Sequence, residues 1–149
     1  MKFMTKLTTL TTATILAASM AVAEDQTIEM LNKRDDGEKM VFSQDVAFID
    51  IGDSITWVPT SKGHNVEFVF GPEGWELPKK SAMSKEYTLT FDEPGIYFYV
   101  CTPHEPMGMM AAVVVGEDKS NLDAAKDYKV RGKKLEEKKK LLMNVIDGE

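Results

Sequence analysis

Cys101-Thr102-Pro103-His104-Glu105-Pro106-Met107-Gly108-Met109 packs a thiol, an imidazole and two thioethers into nine residues. It follows Gly95-Ile96-Tyr97-Phe98-Tyr99-Val100, an aromatic and β-branched run that reads as a strand. It precedes Met110 to Gly116, whose three consecutive valines read as a strand of the buried type. Cys101 is the only cysteine, so an intramolecular disulfide is excluded, and His104 has a single counterpart, His64. A short loop rich in soft donors, clasped by two strands, is the frame on which the rest of the chain is read.

Upstream of that frame the chain is a succession of short strand signals. Gln26 to Leu31 alternates weakly, and Asn32 to Glu38 is a charged loop. Met40 to Phe42 and Asp45 to Ile51 read as strands with a bend at Ser43-Gln44. Gly52-Asp53 is a turn signal, followed by the β-branched and aromatic run Ser54 to Val58. His64 opens a further strand-like run to Phe70. Gly71 to Ser84 reads as a long irregular connection with room for one helical turn, and Glu86 to Phe91 alternates again. Asp92-Glu93-Pro94-Gly95 is a strong turn, because proline presets φ and glycine accepts φ > 0. Seven or eight short strands separated by turns predict an all-β sandwich or barrel.

Downstream the composition changes. Ser120 or Asn121 is placed to cap a helix running through Ala124, Ala125 and Tyr128, and Gly132 interrupts it. From Lys133 to Ile146, Leu135, Leu141, Leu142, Val145 and Ile146 recur at helical spacing, which predicts an amphipathic helix. The run Lys138 to Lys140 reads as its solvated face, since acidic residues are interleaved. Residues 24–149 thus form one domain with a helical tail from about residue 120.

Residues 1–23 read as a secretory signal peptide. Lys2 and Lys6 open it, Leu7 to Met20 is apolar without an acidic residue, and Ala21-Val22-Ala23 is a small-x-small cleavage signal. Cleavage is expected after about Ala23, giving an exported protein without stable membrane association. The apolar run is short for a transmembrane anchor, and no cysteine follows it to carry a lipid. The whole chain has formal charge −6, and its first 23 residues carry two lysines and no acid, so the remainder is more acidic still. Such a domain is a poor candidate for nucleic acid.

An exported lone thiol is buried and inert, cross-linked between chains, reactive, or a metal ligand. The residues around Cys101 favour the last. Cys101-x-x-His104 puts two ligands on one tight loop, Met109 lies five residues beyond His104, and His64 comes from another part of the sheet. A thiolate, two imidazoles and a weak axial thioether are the donor set of a blue copper electron-transfer site. Structural zinc asks for four strong ligands, and a catalytic copper would need histidines that this chain lacks. A Cys–His nucleophile would compete for the same residues and leave Met109 without a role. The alternatives are a copper-delivery module without a redox partner, whose mark would be extra surface clusters of methionine and histidine that are missing, and an electron carrier for a different periplasmic oxidoreductase. Met107, the other nearby thioether, reads as loop packing.

The chain resembles the cupredoxins, and within them the pseudoazurins. The stretches that carry the likeness are Lys39-Met40-Val41-Phe42, Gly52-Asp53-Ser54-Ile55-Thr56-Trp57, Lys62-Gly63-His64-Asn65-Val66-Glu67, Cys101-Thr102-Pro103-His104, Met107-Gly108-Met109 and Asn121-Leu122-Asp123. The resemblance implies a Greek-key β-sandwich with two C-terminal helices, holding one type 1 copper ion through His64, Cys101, His104 and Met109. It implies a monomeric periplasmic electron carrier, not an enzyme. A denitrification enzyme such as copper nitrite reductase is the implied acceptor, and a cytochrome or quinol-linked protein the donor. It also implies that Asn65 ties the two ligand loops together and that Met40 packs beside His104. His104 would present its edge as the electron port within a collar of Pro103, Pro106, Met40 and Met107, ringed by lysines. Lys62 fits that ring, with Arg34, Lys79, Lys80 and Lys85 as further contributors. Glu105 and Val100 depart from the family pattern, where an aromatic and a lysine are common, and both lower the positive charge near the port.

Pro103 has no N–H to donate to the thiolate. A donor there would stabilise thiolate charge and so favour the reduced state. Pro103→Ala is expected to raise the reduction potential, provided the freed amide points at sulfur; an unchanged potential in protein-film voltammetry would count against this.

Overall fold

A computed structural model describes residues 24–148; the signal peptide read over residues 1–23 lies outside the described residues. Eight strands follow in chain order: β1 (Gln26–Lys33), β2 (Lys39–Phe42), β3 (Val46–Ile49), β4 (Ser54–Val58), β5 (Glu67–Phe70), β6 (Tyr87–Thr90), β7 (Gly95–Val100) and β8 (Met110–Val115). Two α-helices follow among the described residues, α1 (Leu122–Asp127) and α2 (Lys133–Asp147). One sheet runs β2-β1-β4-β6 and the other β3-β8-β7-β5. The pairs β1/β4 and β3/β8 are parallel and the rest antiparallel, so the expected two-sheet sandwich is present with crossovers between its layers.

The two faces of the second sheet explain why its central strands do not alternate. All six residues of β7 and all six of β8 are buried. Tyr97, Tyr99, Ala111, Val113 and Val115 face the first sheet, in a core with Ile28, Met30, Phe42, Trp57 and Phe68. Ile96, Phe98, Val100, Met110, Ala112 and Val114 face the other way, against Ala125 of α1 and Leu135, Leu142, Met143 and Ile146 of α2. A strand covered on both sides reads as a continuous apolar run. Each buried aliphatic side chain on α2 contributes roughly 1.5–3 kcal/mol relative to exposure, so the tail is an integral third layer.

Several expectations for the tail and the long loop need correcting. Leu141 and Val145 are 60% and 51% exposed, and Met143 takes their place in the buried stripe. The lysine run is not wholly a solvated face. Lys139 is 7% exposed, and its Nζ donates to the carbonyls of Tyr128 at 2.6 Å and Lys126 at 3.0 Å. Those carbonyls end α1, where a cation also meets the negative end of the helix dipole. Lys138 reaches Asp45 at 2.7 Å. Gly71 to Ser84 forms bends and turns with no helix.

Asn121 occupies the position before α1 but makes no side-chain cap there. Its Oδ1 accepts the Ile96 N–H at 3.0 Å and its Nδ2 donates to the Ile96 carbonyl at 2.8 Å. One side chain therefore satisfies both backbone groups of a fully buried residue at the start of β7. Asn121→Ala is expected to destabilise the fold by about 2 kcal/mol, since a buried backbone donor and acceptor lose their partners. Urea unfolding at unchanged slope would register this as a lower midpoint; a midpoint equal to that of the parent would refute it.

Candidate metal centre

The ligand loop is shaped by its strands and by proline. Cys101 N–H donates to the Met109 carbonyl at 3.0 Å, continuing the β7/β8 ladder one step past its last pair, Val100 and Met110. Between them, Thr102–Met107 winds into a 3₁₀ helix with Pro103 in its first turn and Pro106 inside it. The next residue, Gly108, stops it at φ 86°, a left-handed conformation that glycine adopts without a steric cost. The Met109 N–H then returns to the His104 carbonyl at 3.2 Å. Because side chains alternate along β7 and β8, Cys101 and Met109 both enter the inter-sheet core, whereas Met110 turns to the helix side.

His64 arrives from the other edge of the same sheet, in the segment leading to β5. The irregular connection braces it: Ser84 N–H donates to the His64 carbonyl at 2.8 Å, and Ser84 Oγ accepts the Gly63 N–H at 2.8 Å. Ser81 brackets Val66 in the same way, through its N–H and its Oγ. The long loop thus does the work of a neighbouring strand, a role with no hydrophobic pattern to announce it.

Three donor groups converge. Nδ1 of His64 lies 3.6 Å from Cys101 Sγ and Nδ1 of His104 lies 3.3 Å from it. The three donor atoms all fall within 4.8 Å of one another, with His64 and Cys101 buried and His104 partly exposed. Nitrogen and sulfur bound at about 2.0 and 2.3 Å to one first-row ion, at a tetrahedral angle, stand roughly 3.5 Å apart. The spacing found is therefore that of ligands waiting for a shared ion. Met109, 1% exposed, closes the core beneath the loop.

The surrounding groups set the protonation that a metal needs. His64 donates Nε2–H to Asn32 Oδ1 at 2.9 Å, which leaves Nδ1 with its lone pair toward the sulfur. Burial, and then the neighbouring His104, hold the His64 pKa below its ordinary value, so the ring stays neutral. Burial pushes the Cys101 thiol up, opposed by the nearby backbone amides of Asn65 and His104. A bound cation displaces that proton.

Asn65, next to His64, is hydrogen-bonded to Thr102, next to Cys101. Its Oδ1 accepts the Thr102 N–H at 2.9 Å and its Nδ2 donates to Thr102 Oγ1 at 3.1 Å. Thr102 Oγ1 in turn donates to Glu67 Oε2 at 2.8 Å. Pro103, Pro106 and Met107 are exposed. Met40 and Met107 line one cavity of about 140 Å³ between β2, the ligand loop and α2. Met40 holds a left-handed backbone at φ 49°, unusual outside glycine. Lys62 is exposed. Arg34 is not a free cation of the rim, because its guanidinium is tied to Asp36 at 2.7 Å and Asp45 at 2.9 Å. The residues missed by sequence reading are Asn32, Glu67, Ser81 and Ser84, together with Arg131, Lys133 and Lys134. These last three line a cavity of about 660 Å³ with Glu105 and Pro106.

A two-sheet sandwich with a Cys–His–His cluster at one end, two of its donors buried and one partly exposed, defines a copper-binding β-protein. Residues 28–116 match the copper binding proteins of the plastocyanin/azurin family. The chain is 44% identical over 126 residues to pseudoazurin of Paracoccus pantotrophus, a match spanning 83% of this chain and 86% of that protein. It is 40% identical over 132 residues to pseudoazurin of Methylorubrum extorquens, across 87% and 86% of the two chains. A solved Sinorhizobium pseudoazurin superposes with a TM-score of 0.77 at 39% identity, covering 83% of this chain and 96% of that one. The chain belongs to the pseudoazurins, electron-transfer copper proteins within the plastocyanin/azurin family.

Asn32→Leu removes the acceptor that fixes the His64 tautomer. Partners of this kind typically carry about 10–100-fold in metal affinity. Competition with a copper chelator is expected to show weaker retention within that range; undiminished retention would exclude the role.

Proposed function

We propose that His64, Cys101, His104 and Met109 hold the copper ion and that the protein is a periplasmic single-electron carrier, not an enzyme. The observation that carries this is the asymmetry of the cluster: two donors are sealed in the core while His104 reaches the surface. When bound, copper supplies a one-electron Cu(II)/Cu(I) couple, and a mixed thiolate–imidazole–thioether set suits both oxidation states. Asn32, Asn65 and the strand ladder hold the donors in place, so the protein contributes little rearrangement to electron transfer. The partly exposed ring of His104 is the short way in and out, with Met40 at its side.

Pro103, Pro106, Met40 and Met107 offer the apolar contact that suits a weak, fast complex. Lys62 lies in the segment just before His64, and Arg131, Lys133 and Lys134 border the cavity that holds Glu105. Lys133 and Lys134 share the single carboxylate of Glu137 at 3.8 and 3.6 Å, so with Arg131 these cations still offset the acidic departure at Glu105 and favour an acidic partner face. The proposed acceptor is a denitrification enzyme such as copper nitrite reductase, and the donor a cytochrome or quinol-linked protein. A signal peptide cleaved after about Ala23 places the mature monomer in the periplasm, where a lone thiol ligand is protected by its metal.

Addition of Cu(II) to the mature protein is expected to give intense absorption at roughly 600 nm from thiolate-to-copper charge transfer, and Cys101→Ser to abolish it. Stopped-flow oxidation of the reduced protein by copper nitrite reductase is expected to slow as ionic strength rises. Copper that exchanges freely, with no rapid electron transfer to the reductase, would support a delivery module instead.

A further inference from the structure

At the end of β8 remote from the ligand loop, the turn between β3 and β4 holds Asp53, which is 6% exposed. Its Oδ2 accepts the Asp50 N–H at 2.8 Å, closing the turn. Its Oδ1 reaches across 29 residues of sequence to accept the backbone N–H of Glu24 at 2.9 Å. A cavity of about 220 Å³ opens beside this bond, lined by Glu24, Asp50, Asp53 and Glu117 among others, and among the described residues no lysine, arginine or histidine lines it. A nearly buried carboxylate is thus left with neutral amide donors in an acidic setting, an arrangement that asks for a cation.

The cation is supplied by maturation. We infer that Asp53 is the receptor for the α-ammonium of the processed chain, an inference that rests on cleavage after Ala23. Hydrolysis of the Ala23–Glu24 peptide bond consumes one water, leaves a carboxylate on Ala23 and an amine on Glu24. That amine takes up a proton, since an α-amino group has its ordinary pKa near 7.7–8.0, lies against the Asp53 carboxylate and stands beside a cavity lined by Glu24, Asp50 and Glu117. The nitrogen that Asp53 already holds becomes a positively charged donor, and a neutral hydrogen bond becomes a charge-assisted one, roughly twice as strong.

The position makes this a fastening for the whole sandwich. β1 pairs with β2 on one side and with β4 on the other, the latter in the register Gln26 to Ile55. Gln26 Nε2 also donates to the Phe48 carbonyl of β3, in the opposite sheet, at 3.0 Å. Pinning Glu24 to Asp53 fixes the entrance of a central strand at the seam between the sheets. The exported chain gains this anchor on losing its leader, and the unprocessed chain lacks the charge.

Intact mass of the exported holoprotein is expected to place the first residue at Glu24; a different first residue would overturn the natural role of the pair. The pair itself is tested with copper-loaded chains beginning at Glu24 or at Val22, which retains the N–H of Glu24 but moves the charge away. Beginning at Val22 is expected to lower Tm by about 3 °C, and the difference is expected to vanish when Asp53→Asn is introduced into both chains. An equal loss in both backgrounds, or no loss with Asp53 present, would overturn the inference. Should Asp53→Asn fail to fold, NMR titration of the Glu24 α-ammonium in the parent protein decides: a pKa above 7.7–8.0 supports the pair, and one at or below that range refutes it.

Discussion

The hydrogen bond from Cys101 N–H to the Met109 carbonyl is the constraint around which the protein is built. It extends the β7/β8 ladder by one rung and forces the residues between into a closed loop. Within that loop Pro103 and Pro106 set φ, Gly108 supplies the left-handed stop, and His104 has one direction left to point. The thiol and thioether positions follow from strand alternation, not from the loop. The two central strands can carry such a loop because both their faces are buried, one by the opposite sheet and one by α1 and α2.

The helical layer also bears directly on the site. Gly108 faces the Lys134 carbonyl, and a Cβ there would come within 3.1 Å of it. The loop and α2 are therefore packed backbone to backbone. Arg34, Asp45 and Lys138 join the β1–β2 loop, the start of β3 and α2 in one ionic group. Burial works against the Asp45 carboxylate, but bonds to Arg34 and Lys138 outweigh it and hold its pKa below the usual range. Its contribution is present above the unfolded carboxylate range and fades as pH falls through the lowered folded value.

Much of the centre was legible because its chemistry is rare in this sequence. One cysteine and two histidines leave few combinations, and the spacing of Cys101, His104 and Met109 reflects a loop between paired strands. Strand limits were read well where turn residues bracket them, as at Ser54–Val58. The unread parts share a physical cause: they depend on where a polar side chain goes in three dimensions. Asn32 sits on β1 with nothing in its neighbourhood to mark it as the partner of His64. Asn121 looks like a helix cap, yet its amide is spent on Ile96. Lys139 belongs to a charged run, and only the antiparallel return of α2 past the end of α1 buries its ammonium among carbonyls. Leu141 and Val145 satisfy helical periodicity but fall outside the buried stripe, which Met143 completes.

The central claim is that the fold holds the copper donors before and through the redox change. Copper-edge X-ray absorption of the loaded protein in both oxidation states tests it most directly. The account predicts one thiolate sulfur and two imidazole nitrogens around the ion in the oxidised and reduced forms alike, with closely similar distances. A change in the number or kind of ligands on reduction, or the absence of a sulfur ligand, would contradict it.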